Sequence, residues 1–134
     1  MKFYLAYGSN LNIDKMKLRC PKAKPLNKVN GIKINKLFGW KLVFNRYATI
    51  IRDKNSFVPI GIYKITKFCE KSLDLYEGYP QLYSKVYLII NSTRFMTYVL
   101  NNHGLLKPSK TYLNEIKKGY NNFCLDINYL KKFN

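Results

Sequence analysis

Near its start the chain changes from the apolar pattern of a buried strand to the apolar period of a helix, and this change determines which side of each element packs into the core. Residues 3–7 are apolar or aromatic and predict a buried strand, whereas from Leu11 the apolar residues recur at a helical period. The turn between them is Tyr7-Gly8-Ser9-Asn10-Leu11. The first N–H groups of a helix have no partner within it, and the helix dipole gives them partial positive charge. The turn is therefore a candidate cradle for a carboxylate or a developing oxyanion.

Other functions of this turn are weighed against the cradle. Gly8 lets a ligand approach the backbone closely, which favours binding. Ser9, Asn10 and Asn12 are residue types that most often serve only as helix N-caps, and this alternative stays open. A nucleotide-binding loop is excluded, because no Lys-Ser/Thr pair follows a second glycine and no GxGxxG is present.

A second turn contains the carboxylate with the clearest chemical potential, Glu77. Residues 66–76 predict a short helix with Thr66 as its cap, and Glu77 follows Leu73 by four positions, which places it on the inward stripe. Gly78 is in the position that ends a helix. Burial and the negative end of the dipole both disfavour the ionised carboxylate, so we expect a raised pKa suited to a general acid/base. The alternative is a surface glutamate at a frayed helix end.

Several segments occur in an order that carries a family resemblance. They are FYLAYGSNL (3–11), RCP (19–21), GWKLVFN (39–45), ATIIRD (48–53), PIGIYKIT (59–66), LDLYEGYPQLY (73–83) and PSKTYLNEIKKGY (108–120). The ordered set covers residues 3–131 and resembles the γ-glutamylcyclotransferase-like superfamily, which includes γ-glutamylamine cyclotransferases and AIG2-like proteins. The resemblance implies an α+β fold, with a small mixed β-barrel and a few flanking helices.

The resemblance also implies roles for individual residues. The γ-glutamyl group would be bound by Tyr7, Gly8, Ser9, Asn10 and Leu11, and Glu77 would be the acid/base. Tyr83 is expected to orient that carboxylate or to contact substrate, and Tyr112 is a secondary candidate near the pocket. The implied enzyme cyclises a γ-glutamyl amine or peptide to 5-oxoproline and releases the amine, without a metal or another cofactor. The sequence identifies neither the leaving amine nor the oligomeric state.

The succession of elements predicts one α+β domain over residues 1–134, because runs of strands are segregated from helices. A helix is predicted to open at Ser109 after Pro108 and to stop at Gly119. The apolar runs are too short to span a bilayer, and no signal-peptide pattern precedes the first strand. We therefore expect a cytoplasmic protein without membrane partners.

The cysteines predict neither a zinc site nor a disulfide framework. There are three of them, Cys20, Cys69 and Cys124, without CxxC spacing, and His103 is the single histidine. A cysteine nucleophile activated by His103 is disfavoured, because the sequence gives no sign that the two residue types meet.

The formal net charge of +17 is the feature that competes with an enzymatic interpretation, because it would attract nucleic acid. However, the basic residues are mostly scattered lysines, with only four arginines. Phosphate and base recognition favour arginine, so a nucleic-acid partner is disfavoured. A further alternative is a non-catalytic member of the same fold that binds a γ-glutamyl ligand or a protein. The presence of Glu77 favours the enzyme.

Overall fold

The computed structural model describes residues 1–102 and 104–134. Its strands are β1 (Lys2–Ala6), β2 (Lys24–Leu26), β3 (Lys28–Val29), β4 (Ile32–Lys33), β5 (Lys36–Asn45), β6 (Tyr47–Pro59), β7 (Gly61–Ile65), β8 (Tyr83–Ile90) and β9 (Thr93–Leu100). Its α-helices are α1 (Ile13–Arg19), α2 (Lys67–Glu77) and α3 (Lys110–Asn122), and 3₁₀ segments span Ser9–Leu11 and Ile127–Phe133. In this part of the chain, no helix is long and apolar enough to cross a membrane.

The first strand lies at the centre of a five-stranded mixed sheet in the order β2-β7-β1-β9-β8. It pairs antiparallel with β7 and parallel with β9, while β8 and β9 form an antiparallel hairpin. Leu5 and Ala6 are completely buried, as the apolar start of the chain predicts. The α+β class with a mixed sheet and flanking helices is therefore confirmed.

A long antiparallel hairpin of β5 and β6 packs against this sheet. The Leu100 N–H donates a hydrogen bond to the Thr49 hydroxyl at 3.0 Å, which joins β9 to β6 through a side chain. No ladder of backbone pairs connects the two sheets within the described residues, so the strand pairing does not show the closed barrel implied by the resemblance.

The C-terminal helix α3 packs directly on the turn after β1, and Gly119 makes this approach possible. A Cβ atom at Gly119 would lie 2.5 Å from the Asn12 nitrogen and 2.5 Å from the Leu11 carbonyl carbon. The prediction that Gly119 stops the helix is wrong, because α3 continues to Asn122. This glycine is needed for close packing against backbone rather than for helix termination.

Cys20 and Cys69 form a disulfide that joins the end of α1 to the first turn of α2. The prediction that the cysteines form no disulfide is therefore wrong for this pair, whereas Cys124 is free and exposed. The two half-cystines are 49 positions apart, so no local spacing could reveal them. Cytosolic proteins rarely keep disulfides, so this bond argues against the predicted cytoplasmic location. The location stays a prediction. His103, the suggested partner of a cysteine nucleophile, lies outside the described residues.

Candidate active site

The end of β1 and the end of α2 face each other across a pocket of about 250 Å³. The predicted residues that line it are Tyr7, Gly8, Ser9, Asn10, Glu77, Tyr83 and Tyr112. Leu11 is fully buried in the core and is not among the lining residues. The structure thus brings together nearly all of the candidates, which were selected from three separate parts of the sequence.

The turn after β1 lines this pocket, and two of its backbone N–H groups have no acceptor among the described residues. The Leu11 N–H already donates to the Gly8 carbonyl at 3.0 Å, and the Asn12 N–H donates to the Ser9 carbonyl at 3.0 Å. No residue that the structure describes accepts a hydrogen bond from the N–H groups of Ser9 and Asn10. These two groups are therefore the candidate donors for an anionic or polarised oxygen.

Helix capping is done by Asn12, two positions after Asn10. The Asn12 side chain accepts a hydrogen bond from the Lys15 N–H at 3.2 Å and so caps α1. Ser9 and Asn10 do not serve as caps of this helix. The alternative that these residues are only helix N-caps thus holds for Asn12 and not for Ser9 or Asn10.

Every polar atom of the Asn10 carbonyl and side-chain amide has a partner. Its backbone carbonyl accepts from the Tyr63 hydroxyl at 2.7 Å, and its Oδ1 accepts from the Arg19 guanidinium. Its Nδ2 donates to the Tyr4 hydroxyl at 2.9 Å and, over a longer distance of 3.4 Å, to Glu77 Oε1. Asn10 is thus held from both sides and connects the turn to the carboxylate.

Glu77 is the last residue of α2, and its position follows from local sequence signals. The Thr66 side chain caps the start of α2, and Gly78 ends it in the left-handed conformation at φ 65°. Burial raises the pKa of Glu77 from its ordinary 4.5 to about 7, against the opposing effect of the Arg19 positive charge. The carboxyl group can therefore both take up and release a proton near neutral pH.

Tyrosines form much of the pocket wall, and the hydroxyls of Tyr7, Tyr83 and Tyr112 are already hydrogen-bonded. Tyr83 donates to the Ala48 carbonyl at 2.9 Å, and Tyr112 accepts from the Ala48 N–H at 3.1 Å. The Tyr7 hydroxyl donates to the carbonyl of Tyr98. Burial raises the pKa of Tyr7, Tyr83 and Tyr112 well above the ordinary value, so all three are neutral. In this arrangement the Tyr83 hydroxyl contacts Ala48 instead of Glu77.

Sequence reasoning missed part of the pocket wall and one residue behind it. The unpredicted lining residues are Tyr4, Tyr47, Ala48, Tyr76, Leu82 and Tyr98. Tyr4 belongs to β1, the strand that leads into the turn, and no local signal distinguishes it from the other aromatic residues of that segment. Arg19 belongs to one of the segments that carry the resemblance, but its contact with Asn10 is visible only in three dimensions.

Chemistry at this site would depend on a carboxyl group and backbone donors. Among the residues that the structure describes, no three or more His, Cys, Asp or Glu side chains are close enough together to hold a metal ion. Arg19 is connected to the Glu77 carboxylate through hydrogen bonds of the Asn10 side chain, which lies between them. The arrangement can exchange a proton and can stabilise an oxyanion.

Comparisons with solved structures reveal similar folds. A structure described as a gamma-glutamyl cyclotransferase matches with a TM-score of 0.80 and 25% identity, covering 98% of this chain and 85% of the other. An uncharacterized human protein matches with a TM-score of 0.77 and 24% identity over the same shares. An uncharacterized protein from Pyrococcus horikoshii shares the fold at 13% identity and a TM-score of 0.59, covering 83% of this chain and 87% of the other. No family model and no curated protein matches the sequence.

Proposed function

Because the chain has the γ-glutamylcyclotransferase-like fold, we propose that it converts a γ-glutamyl amine or γ-glutamyl peptide to 5-oxoproline and the released amine. The observation that carries the proposal is the position of Glu77 in one pocket with the unpaired N–H groups of Ser9 and Asn10. An acid/base and an oxyanion cradle are the two parts that this reaction requires from a protein.

In the proposed reaction, the substrate supplies both nucleophile and electrophile. Its free α-amine attacks its own side-chain amide carbonyl, so a new C–N bond closes a five-membered lactam and the bond to the leaving nitrogen breaks. Glu77 takes the proton lost by the attacking amine and gives it to the leaving nitrogen. Atoms and charge balance within substrate and carboxyl group, and no water is consumed.

The barrier would be lowered mainly by positioning. Holding the two reacting ends of one molecule in near-attack geometry supplies a large effective molarity. The negative oxygen of the tetrahedral intermediate would be stabilised by the Ser9 and Asn10 N–H groups. The tyrosine wall would hold the aliphatic part of the substrate. The hydroxyls of Tyr7, Tyr83 and Tyr112 are hydrogen-bonded and have raised pKa values, so proton transfer would fall to Glu77.

The pKa of Glu77 supports the use of one group for both proton transfers. A carboxyl group with a pKa of about 7 is ionised in part of the molecules at neutral pH and is also a competent acid once protonated. A surface glutamate near its ordinary pKa would be a poor donor to a leaving amine. The partly buried position of Glu77 and the raised pKa that results from it therefore favour the enzyme over a non-catalytic member of the fold.

The test is release of 5-oxoproline from a panel of γ-glutamyl amines, γ-glutamyl dipeptides and γ-glutamyl-ε-lysine. Wild type is compared with Glu77→Gln and with Glu115→Gln, a control on α3 whose carboxylate pairs with Lys15 at 3.4 Å outside the pocket. Release by wild type and Glu115→Gln, with loss in Glu77→Gln, is the expected result. Retained release in Glu77→Gln would remove Glu77 from the mechanism. A folded wild type that binds 5-oxoproline but releases none would favour the non-catalytic alternative.

A further inference from the structure

Arg19 is a charged residue beside the pocket, and the proposed reaction gives it no role. It is the last residue of α1, and it does not line the pocket. Its guanidinium donates to Asn10 Oδ1 and, at 3.4 Å, to the Ser9 hydroxyl. The guanidinium also stacks on the ring of Tyr76, with the guanidinium carbon 3.6 Å from the ring centroid. One side chain thus joins the turn after β1 to the end of α2.

The contact with Arg19 decides which way the Asn10 amide points. A guanidinium group has only donors, so it requires the amide oxygen on its side. The amide nitrogen must then face the opposite way, toward the Tyr4 hydroxyl and Glu77 Oε1. If the amide were turned over, its oxygen would face the Glu77 carboxylate and repel it. Arg19 therefore determines that Glu77 meets a donor at this point.

The disulfide next to Arg19 holds this arrangement in place. Cys20 follows Arg19 directly, and its bond to Cys69 fastens the end of α1 to the helix that contains Tyr76 and Glu77. Stacking on Tyr76 restricts the guanidinium further, since a cation is attracted to the face of an aromatic ring. The orientation of Arg19 is thus set by covalent and packing contacts that do not involve substrate.

We propose that Arg19 is a positioning residue for the reaction proposed above: it holds the Asn10 amide so that its Nδ2 donor faces Glu77 and keeps the carboxylate directed at the substrate. The proposal rests on the proposed function for its effect on rate. Its geometric part, the control of Glu77 through Asn10, does not depend on which substrate is turned over.

The charged and titratable groups around Glu77 are few. Arg19 is the positive group that opposes the effect of burial on Glu77. The tyrosines that face it are Tyr4, Tyr7, Tyr83 and Tyr112, and desolvation raises the pKa of each, which keeps them neutral. A change in the titration of Glu77 after removal of the Arg19 charge can therefore be attributed to Arg19.

The experiment compares wild type with Arg19→Met, Arg19→Lys and the control Lys17→Met, which removes an exposed charge from the same turn of α1. The first readout is the titration of Glu77 by NMR in protein with ¹³C-labelled glutamate. The chain contains only three glutamates, and Glu77→Gln assigns the resonance of interest. The second readout is kcat and KM for 5-oxoproline release as a function of pH.

In Arg19→Met we expect the Glu77 titration midpoint and the acid limb of kcat to move to higher pH. We also expect kcat to fall roughly tenfold to a hundredfold, the cost of a misplaced catalytic group. Arg19→Lys should keep the midpoint near that of wild type but recover only part of kcat, because an ammonium is a point donor without the planar fork of arginine. Lys17→Met should match wild type in both readouts.

Two results would overturn the proposal. One is a folded Arg19→Met protein whose Glu77 titration and kcat profile match those of Lys17→Met. The other is a rise in KM alone, with kcat and titration unchanged, which would make Arg19 only a binding residue. If wild type releases no 5-oxoproline, the proposed function fails, and the Glu77 titration in Arg19→Met still decides whether Arg19 acts on the carboxylate.

Discussion

Substituting Glu77 with glutamine should make the protein more stable at neutral and alkaline pH, while Glu77 itself is proposed to be catalytic. Burial raises the pKa of Glu77 from 4.5 to about 7 in the folded chain. A tenfold change in ionisation corresponds to about 1.4 kcal/mol, so ionised Glu77 costs the native state on the order of 3 kcal/mol. The cost is absent below pH 4.5, where folded and unfolded chains are both protonated. It grows as pH rises and is fully present above the folded pKa.

The assay is urea denaturation of wild type and Glu77→Gln at closely spaced pH values from about 4 to 9. The difference in unfolding free energy between the two proteins should be constant below pH 4.5 and should rise by about 3 kcal/mol by pH 8, in favour of Glu77→Gln. Other titrating groups are common to both proteins and cancel in this difference.

Glu70→Gln provides a control of opposite sign. Burial alone would raise the pKa of Glu70, but hydrogen bonds from Lys85 and Lys2 outweigh it and lower that pKa. Its stabilising contribution is present above the unfolded pKa and is lost as pH falls through the folded value. Glu70→Gln should therefore be less stable than wild type at neutral pH and approach it in acid. A difference between Glu77→Gln and wild type that does not vary with pH would refute the burial of an ionisable Glu77.

Three other outcomes are expected. The kcat/KM of wild type for 5-oxoproline release should fall as pH drops below about 7, since the base form of Glu77 is lost, and a pH–rate profile measures this. Gly119→Ala should lower the free energy of unfolding by about 2 kcal/mol or more in urea denaturation, because the new Cβ would lie 2.5 Å from the backbone of Leu11 and Asn12. Asn121 is exposed on the same helix, so the control Asn121→Ala should lose little stability. Replacing Cys20 and Cys69 by alanine should cost about 4 kcal/mol, the chain-entropy value for a loop closed over 49 positions, and Cys124→Ala should leave stability unchanged.

The parts of the site that the sequence predicted are those set by neighbouring residues. The apolar start of the chain predicted β1, and the glycine after it marked the turn that lines the pocket. Thr66 and Gly78 marked the two ends of α2, so these local signals were sufficient to place Glu77 at the helix end. Its raised pKa followed from this position, because burial acts on whatever residue occupies the inward stripe.

The parts that could not be predicted depend on contacts between distant segments. Gly119 has the sequence context of a helix stop, but it is enclosed by the turn at Leu11 and Asn12, which packs on it from the other end of the chain. The pairing of Cys20 with Cys69 depends on how α1 and α2 pack. Tyr83 could be placed near the carboxylate by sequence proximity, but its hydroxyl goes to Ala48 because β6 supplies an acceptor there.

The separation between Arg19 and Glu77 explains how a carboxyl group beside an arginine can keep a raised pKa. A direct ion pair with arginine would stabilise the ionised form and depress the pKa. In the described part of the chain these two residues form no ion pair, because the Asn10 amide stands between them. Burial therefore has the larger effect on Glu77, and the charge of Arg19 reaches it only weakened. The amide transmits orientation through its hydrogen bonds while it keeps the opposite charges apart. A base that must also act as an acid near neutral pH requires this combination.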